Sequence, residues 1–102
     1  AVDRDLKRAV FTNTVNNIAQ GIAAPGVGIF STTPDNNYKV FSGTSMACPF
    51  VAGLLGVMRS VNPDLTAKEA YKILKQTGKE VADTKTIGRV VQPEAALRAA
   101  LK

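Results

Sequence analysis

The rhythm of apolar and polar positions changes part-way along the chain. Residues 8–14, RAVFTNT, form a short strand candidate that runs into an Asn-rich loop at Asn13, Asn16 and Asn17. Residues 18–33, IAQGIAAPGVGIFSTT, are small and apolar but are interrupted by Gly21, Pro25, Gly26 and Gly28. That pattern predicts short buried strands with other backbone passing close by. GIFSTT and YKVFS then flank PDNN at 34–37. Pro, Asp and Asn are turn formers, so this stretch predicts a β-hairpin.

Beyond the hairpin the pattern is helical. Residues 45–62, SMACPFVAGLLGVMRSVN, are apolar nearly all round, which predicts a helix buried on most sides. Eighteen helical residues would run ~27 Å, enough to cross a domain. Gly53 and Gly56 cost helix propensity. With Ala47 and Ala52 they predict a close approach by neighbouring backbone. Residues 62–78, NPDLTAKEAYKILKQTG, carry stronger boundary signals. Thr66 and Glu69 form a capping box, and Leu65 and Ala70 stand where a hydrophobic staple would. Ala70, Ile73, Leu74 and Thr77 trace an inner face, and Gly78 is the expected C-terminal cap. The last predicted helix, 92–102, opens with Pro93 and carries Leu97 and Leu101 as its apolar stripe. Strands followed by helices predict an α/β layer architecture. A helix apolar on every side needs more cover than these few elements offer, so part of the domain is expected to lie outside this chain.

Composition narrows the reading without naming a function. The chain has 102 residues, enough for one small domain, and a hydrophobic fraction of 45%, ordinary for a globular protein. Its net charge of +5 comes from 13 Lys and Arg against 8 Asp and Glu. Lys68, Lys72, Lys75 and Lys79 fall at helical spacing and would form a basic stripe. The aromatic residues are scattered and not interleaved with these lysines, so a solvated face is expected and no nucleic-acid partner. No apolar run reaches the ~20 residues of a membrane helix, so no membrane partner is expected. A single cysteine, Cys48, excludes an internal disulfide. The charged start, AVDRDLKRAV, has no signal-peptide pattern and no initiator Met, as in a piece of something longer.

The candidate chemistry lies in GTSMACPFVAG, residues 43–53. Ser45 stands at the mouth of the apolar helix, where a serine is either a helix cap or a nucleophile. A nucleophilic serine is normally helped by a histidine, and the chain contains none. The run resembles the serine-containing signature of the subtilisin-like serine proteases, G-T-S-M-A-x-P-x-V-A-G. AVDRDLKRAVFTNT is similar to the segment in which that family opens a strand and then a loop. AAPGVGIFST resembles its A-P-G-x-x-I-x-S-T stretch, and NPDLTAKEAYKILKQTG resembles the helix that follows the nucleophile helix. IGRVVQPEAAL is similar to the closing segment, with Arg89 and Gln92 departing from the usual residues.

The resemblance runs over residues 1–102 but concerns the C-terminal portion of the family's catalytic domain. It implies an α/β, three-layer subtilisin-like fold, of which this chain would supply short strands, a hairpin, the nucleophile helix and two further helices. It also implies a serine endopeptidase acting through an acyl-enzyme on Ser45, with Thr44 beside the oxyanion hole and Met46 next to the nucleophile. The family's aspartate motif, D-[ST]-G, its histidine motif, H-G-T-x-V-A-G, and its oxyanion asparagine have no match here. In the family they precede the serine, so a complementary N-terminal segment is the expected partner, alongside a peptide or protein substrate. Alone, the chain is expected to be inactive. Phe50 replaces the family's usual histidine inside the motif, but that histidine is not the triad base. Calcium is common in the family, yet no acidic cluster of suitable spacing is visible, so no cofactor is expected in this segment. An extracellular location follows from the family alone. The other reading is a degenerate relative or fragment acting as a structural or binding subunit.

Residue chemistry adds two expectations. A helix N-terminus stabilises developing negative charge, and Pro49, lacking an N–H, is tolerated there only near the first turn or with the Ser45 carbonyl left free. Met46 is oxidisable beside the serine. Cys48, one turn from Ser45, is expected to be a small buried residue rather than a second nucleophile.

Overall fold

The computed structural model describes residues 1–101, in the order β1 (Ile29–Thr33), β2 (Asn37–Phe41), α1 (Thr44–Val61), α2 (Ala67–Thr77), α3 (Thr84–Ile87) and α4 (Pro93–Ala100). The hairpin forms as expected, β1 antiparallel to β2, with Ile29 opposite Phe41 and Thr33 opposite Asn37. Its three-residue loop puts Asp35 (φ 64°) and Asn36 (φ 58°) in the left-handed region, which these two residue types tolerate best after glycine. Residues 8–14 do not form the predicted strand. Arg8 makes one bridge to Val2 and the rest is turn and loop, because no neighbouring strand pairs with it further.

Short bridged segments replace longer strands in the centre. Val2 bridges Pro25 in parallel, Ala23 bridges Val90 in parallel, and Val90 bridges Lys79 antiparallel. The Val91 N–H donates to the Ala23 carbonyl at 2.9 Å, and the Val2 N–H donates to the Ala24 carbonyl at 3.0 Å. Buried Val2, Ala23, Ile87 and Val90 form the apolar cluster around this ladder. The short buried strands read from residues 18–33 are therefore present, reduced to single bridges outside the hairpin.

The helical half holds the larger core. Ala47, Leu54 and Met58 of α1 join Leu65, Ala70 and Leu74 of the α2 region and Ala96 and Ala100 of α4. α4 packs against both α1 and α2. The capping box closes as read: Glu69 N–H donates to Thr66 Oγ1 at 3.1 Å, and Thr66 N–H donates to Glu69 Oε2 at 3.2 Å. Gly78 follows α2 but not as a left-handed cap, since its φ is −66°. Its side-chain-free site serves a close approach instead: an added Cβ would lie 2.8 Å from Arg89 Cβ and 2.9 Å from the Leu74 carbonyl oxygen.

Four helical expectations need correction. α4 buries Ala96 and Ala100 most deeply, and of the expected Leu97–Leu101 stripe Leu97 packs against the core while Leu101 is 62% exposed. Leu97 is half-buried, so only Leu101 of the expected stripe is left outside. Residue 102, the predicted end of this helix, lies outside the described residues. α1 is not buried on most sides, since only Ala47, Leu54 and Met58 are buried. Gly53 and Gly56 face open space, with nothing within 4 Å of an added Cβ. By length and composition α1 is also long and apolar enough to cross a membrane, contrary to the reading from sequence. Its 18 residues carry one charge, Arg59, and core helices of soluble proteins meet the same test. The lysines at 68, 72, 75 and 79 are all exposed.

Candidate active site

The lead-in to α1 is tied down by backbone. Gly43 N–H donates to the Gly26 carbonyl at 2.8 Å, and Gly26 N–H donates to the Val2 carbonyl at 3.0 Å. Gly28 N–H donates to Ser42 Oγ at 2.8 Å. Gly26, which closes the extended Ala-Pro-Gly run, is what permits this. A Cβ on Gly26 would stand 2.7 Å from the Gly43 carbonyl oxygen and 2.6 Å from Ala1 Cβ. Gly26 and Ser42 were not singled out in the sequence as site residues. The signal for them was the APG run, which is readable as a motif but whose partner, Gly43, is known only from the fold.

The helix then opens at Thr44 with extended Gly43 as N-cap (φ 164°, ψ 164°), and no side chain caps it. Ser45 occupies the second helical position and is exposed. Its hydroxyl makes no hydrogen bond among the described residues, so it is not the cap. Met46 N–H donates to the Gly43 carbonyl at 3.0 Å, which closes the first turn around Ser45. The Met46 thioether lies over Gly43, its Sδ 3.4 Å from where a Cβ would be. Pro49 sits inside α1 and so leaves the Ser45 carbonyl without its helical donor. No acidic side chain lies in the first turn to neutralise the positive end of the helix.

A groove of about 450 Å³ runs beside this turn. Thr44, Ala47, Cys48 and Val51 line one side, and Thr12, Asn13, Ile18 and Ile22 line the other. Cys48 is exposed on this groove rather than buried as expected, since the opposite wall stands off across open space. Ser45 and Thr44 are thus brought together with Met46 at one helix end. The chain holds no histidine to join them. Among the described residues no three His, Cys, Asp or Glu side chains converge as a metal site.

The family model of the Subtilase family matches residues 1–92. The chain belongs to that family. Alkaline elastase YaB from Bacillus sp. (strain YaB) is 38% identical over 99 residues, 96% of this chain and 26% of the relative. Subtilisin-like protease 1 from Plasmodium vivax is 50% identical over 60 residues, 59% of this chain and 10% of that protein. The crystal structure of the A-subunit of the AB5 toxin from E. coli is similar at a TM-score of 0.74 and 35% identity, over 80% of this chain and 28% of that one. The subtilase chain therefore spans between 10% and 28% of the length of these three proteins. Its α/β architecture is that of a subtilisin-like fold fragment.

Proposed function

We propose that this subtilase segment is the serine-bearing part of an endopeptidase domain, with Ser45 as nucleophile. The observation that carries the reading is the free, exposed Ser45 hydroxyl at the uncapped, positive end of α1. Ser45 Oγ attacks the scissile carbonyl carbon and gives its proton to a histidine imidazole from a complementary N-terminal segment. The oxyanion accepts from the Ser45 backbone N–H, which helix geometry leaves unpaired, and from an asparagine of that segment. Thr44 borders this hole, and Met46 fixes the turn behind the nucleophile. The imidazolium then protonates the departing amine, and water hydrolyses the acyl-enzyme. General-base help of this kind contributes roughly 10²–10⁴-fold, so the chain alone is inactive.

The substrate is a peptide or protein, and the partner is the segment carrying Asp, His and Asn. Secretion of the complete enzyme belongs to the same reading and rests on family analogy; cell fractionation tests it. A fluorophosphonate labels Ser45 when the complementary segment is present and does not label Ser45→Ala. Equal labelling of the isolated chain overturns the proposal. The absence of histidine also favours a second reading, a non-catalytic binding or structural subunit. That reading gains if the complementary polypeptide lacks the Asp or His and no labelling occurs.

A further inference from the structure

The hairpin and the nucleophile helix are joined through a one-residue irregularity. The pair at the open end of the hairpin is Ile29 with Phe41. The next bonded pair is Gly26 with Gly43, whose N–H donates to the Gly26 carbonyl at 2.8 Å. Val27 and Gly28 therefore stand opposite the single residue Ser42, the residue count of a β-bulge. Gly28 has a φ of 66°, the left-handed backbone that such a bulge takes. An added Cβ there would meet nothing within 4 Å, so conformation and not space calls for glycine.

A bulge leaves a backbone group without its ladder partner, and here a side chain takes it. The Gly28 N–H donates to Ser42 Oγ at 2.8 Å, so the hydroxyl stands in for a carbonyl. Ser42 lies three residues before Ser45. Its neighbour Gly43 is bonded on both sides. The Gly43 N–H holds Gly26, and the Gly43 carbonyl accepts from the Met46 N–H at 3.0 Å. The turn from Gly43 to Met46 encloses Ser45. Each link from the bulge to the serine is thus a hydrogen bond formed within this chain. A displacement of about 1 Å at a reacting group costs up to about 10²-fold in rate, so the aim of this turn matters.

We infer that Ser42 is a positioning residue for Ser45: its hydroxyl holds the Gly28 bulge, and the bulge sets the direction in which the chain enters the nucleophile turn. The inference rests on the nucleophile reading. In this role Ser42 touches no substrate and moves no proton.

The test uses the full-length protein that carries this segment and follows its inactivation by a fluorophosphonate over a range of concentrations. That resolves reversible binding from the covalent step at Ser45. Ser42→Ala should slow the covalent step about three- to tenfold and leave reversible binding unchanged. Its Tm should barely move, because the exposed Gly28 N–H bonds to water in place of the hydroxyl. Ser42→Thr, which keeps the hydroxyl on a residue suited to extended backbone, should restore the rate. Gly28→Asn should slow the covalent step less than Gly28→Val, since Asn tolerates left-handed backbone and Val does not. An unchanged covalent step in Ser42→Ala overturns the inference and leaves the nucleophile in place. So does a loss that Ser42→Thr fails to restore, or equal losses in Gly28→Asn and Gly28→Val. A fall in Tm matched by weaker reversible binding shows a general loosening and overturns it too. A wild-type protein that is not labelled at Ser45 removes the nucleophile, and this role of Ser42 with it.

Discussion

Gly26 and Gly43 meet through their backbones, and this contact sets where the first turn of α1 begins. An added methyl at Gly26 would stand 2.7 Å from the Gly43 carbonyl oxygen, a backbone atom that cannot swing aside. Gly26→Ala is expected to cost about 1–3 kcal/mol, as overpacking does. It should also slow labelling of Ser45 in the complemented protein, because the displaced backbone is the one that leads to the serine. Urea unfolding reads the first effect and labelling rate the second; unchanged values for both would show that the turn yields freely. The position of Ser45 in the first turn of α1 was legible in the sequence, and the whole run of its neighbours, rather than three letters, is what marks it for the proposed role. Cys48 was not legible in the same way. Its position one turn from Ser45 followed from helix geometry, but its exposure depends on which elements cover α1.

Caps and turns are local, so they were read correctly at the level of elements. The Thr66–Glu69 box and the Asp35–Asn36 turn depend on residues within a few positions of each other. The other cap, at α4, is where the chain is weak. Gln92 is the N-cap in an extended conformation and makes no side-chain cap bond; its amide instead donates to the Val91 carbonyl at 3.1 Å. Gln92→Asp should raise stability by about 0.5–1 kcal/mol, since Asp both caps and complements the helix dipole. Thr66→Ala, by contrast, should lower it by about 1 kcal/mol. Denaturant midpoints at constant m-value distinguish these signs, and a destabilised Gln92→Asp would show that the glutamine packs better than its bond suggests. The misread elements fail for the opposite reason. On α4 Ala96 and Ala100 are buried and Leu97 packs beside them while Leu101 is exposed, a rotation of the inner face that depends on how the helix docks on α1 and α2. The 8–14 strand lacks a pairing partner beyond Val2, which no local pattern reveals. Arg89, a departure from the family's closing segment, is structurally placed: it donates to the Lys75 carbonyl at 3.2 Å and to Glu80 at 3.0 Å, fastening the end of α2.

At the scale of the molecule the telling positions are Gly53 and Gly56. Both lie inside a long helix, yet among the described residues nothing outside the helix's own backbone comes within 4 Å of a Cβ added at either. An exposed helix interior gains about 0.8–1.0 kcal/mol from Gly→Ala. If these sites served only the segment itself, their glycines would bring nothing in return. If the complementary segment lays backbone on this side of α1, each methyl occupies space that backbone needs. The proposed function therefore predicts opposite signs in two states. Gly53→Ala and Gly56→Ala should stabilise the isolated chain by about 0.8–1.0 kcal/mol each, read by denaturant unfolding. The same substitutions should weaken association with the complementary segment, read by titration against fluorophosphonate labelling of Ser45. Stabilisation in both states would leave the apolar face of α1 without a close partner and would remove the packing argument for an assembled active site.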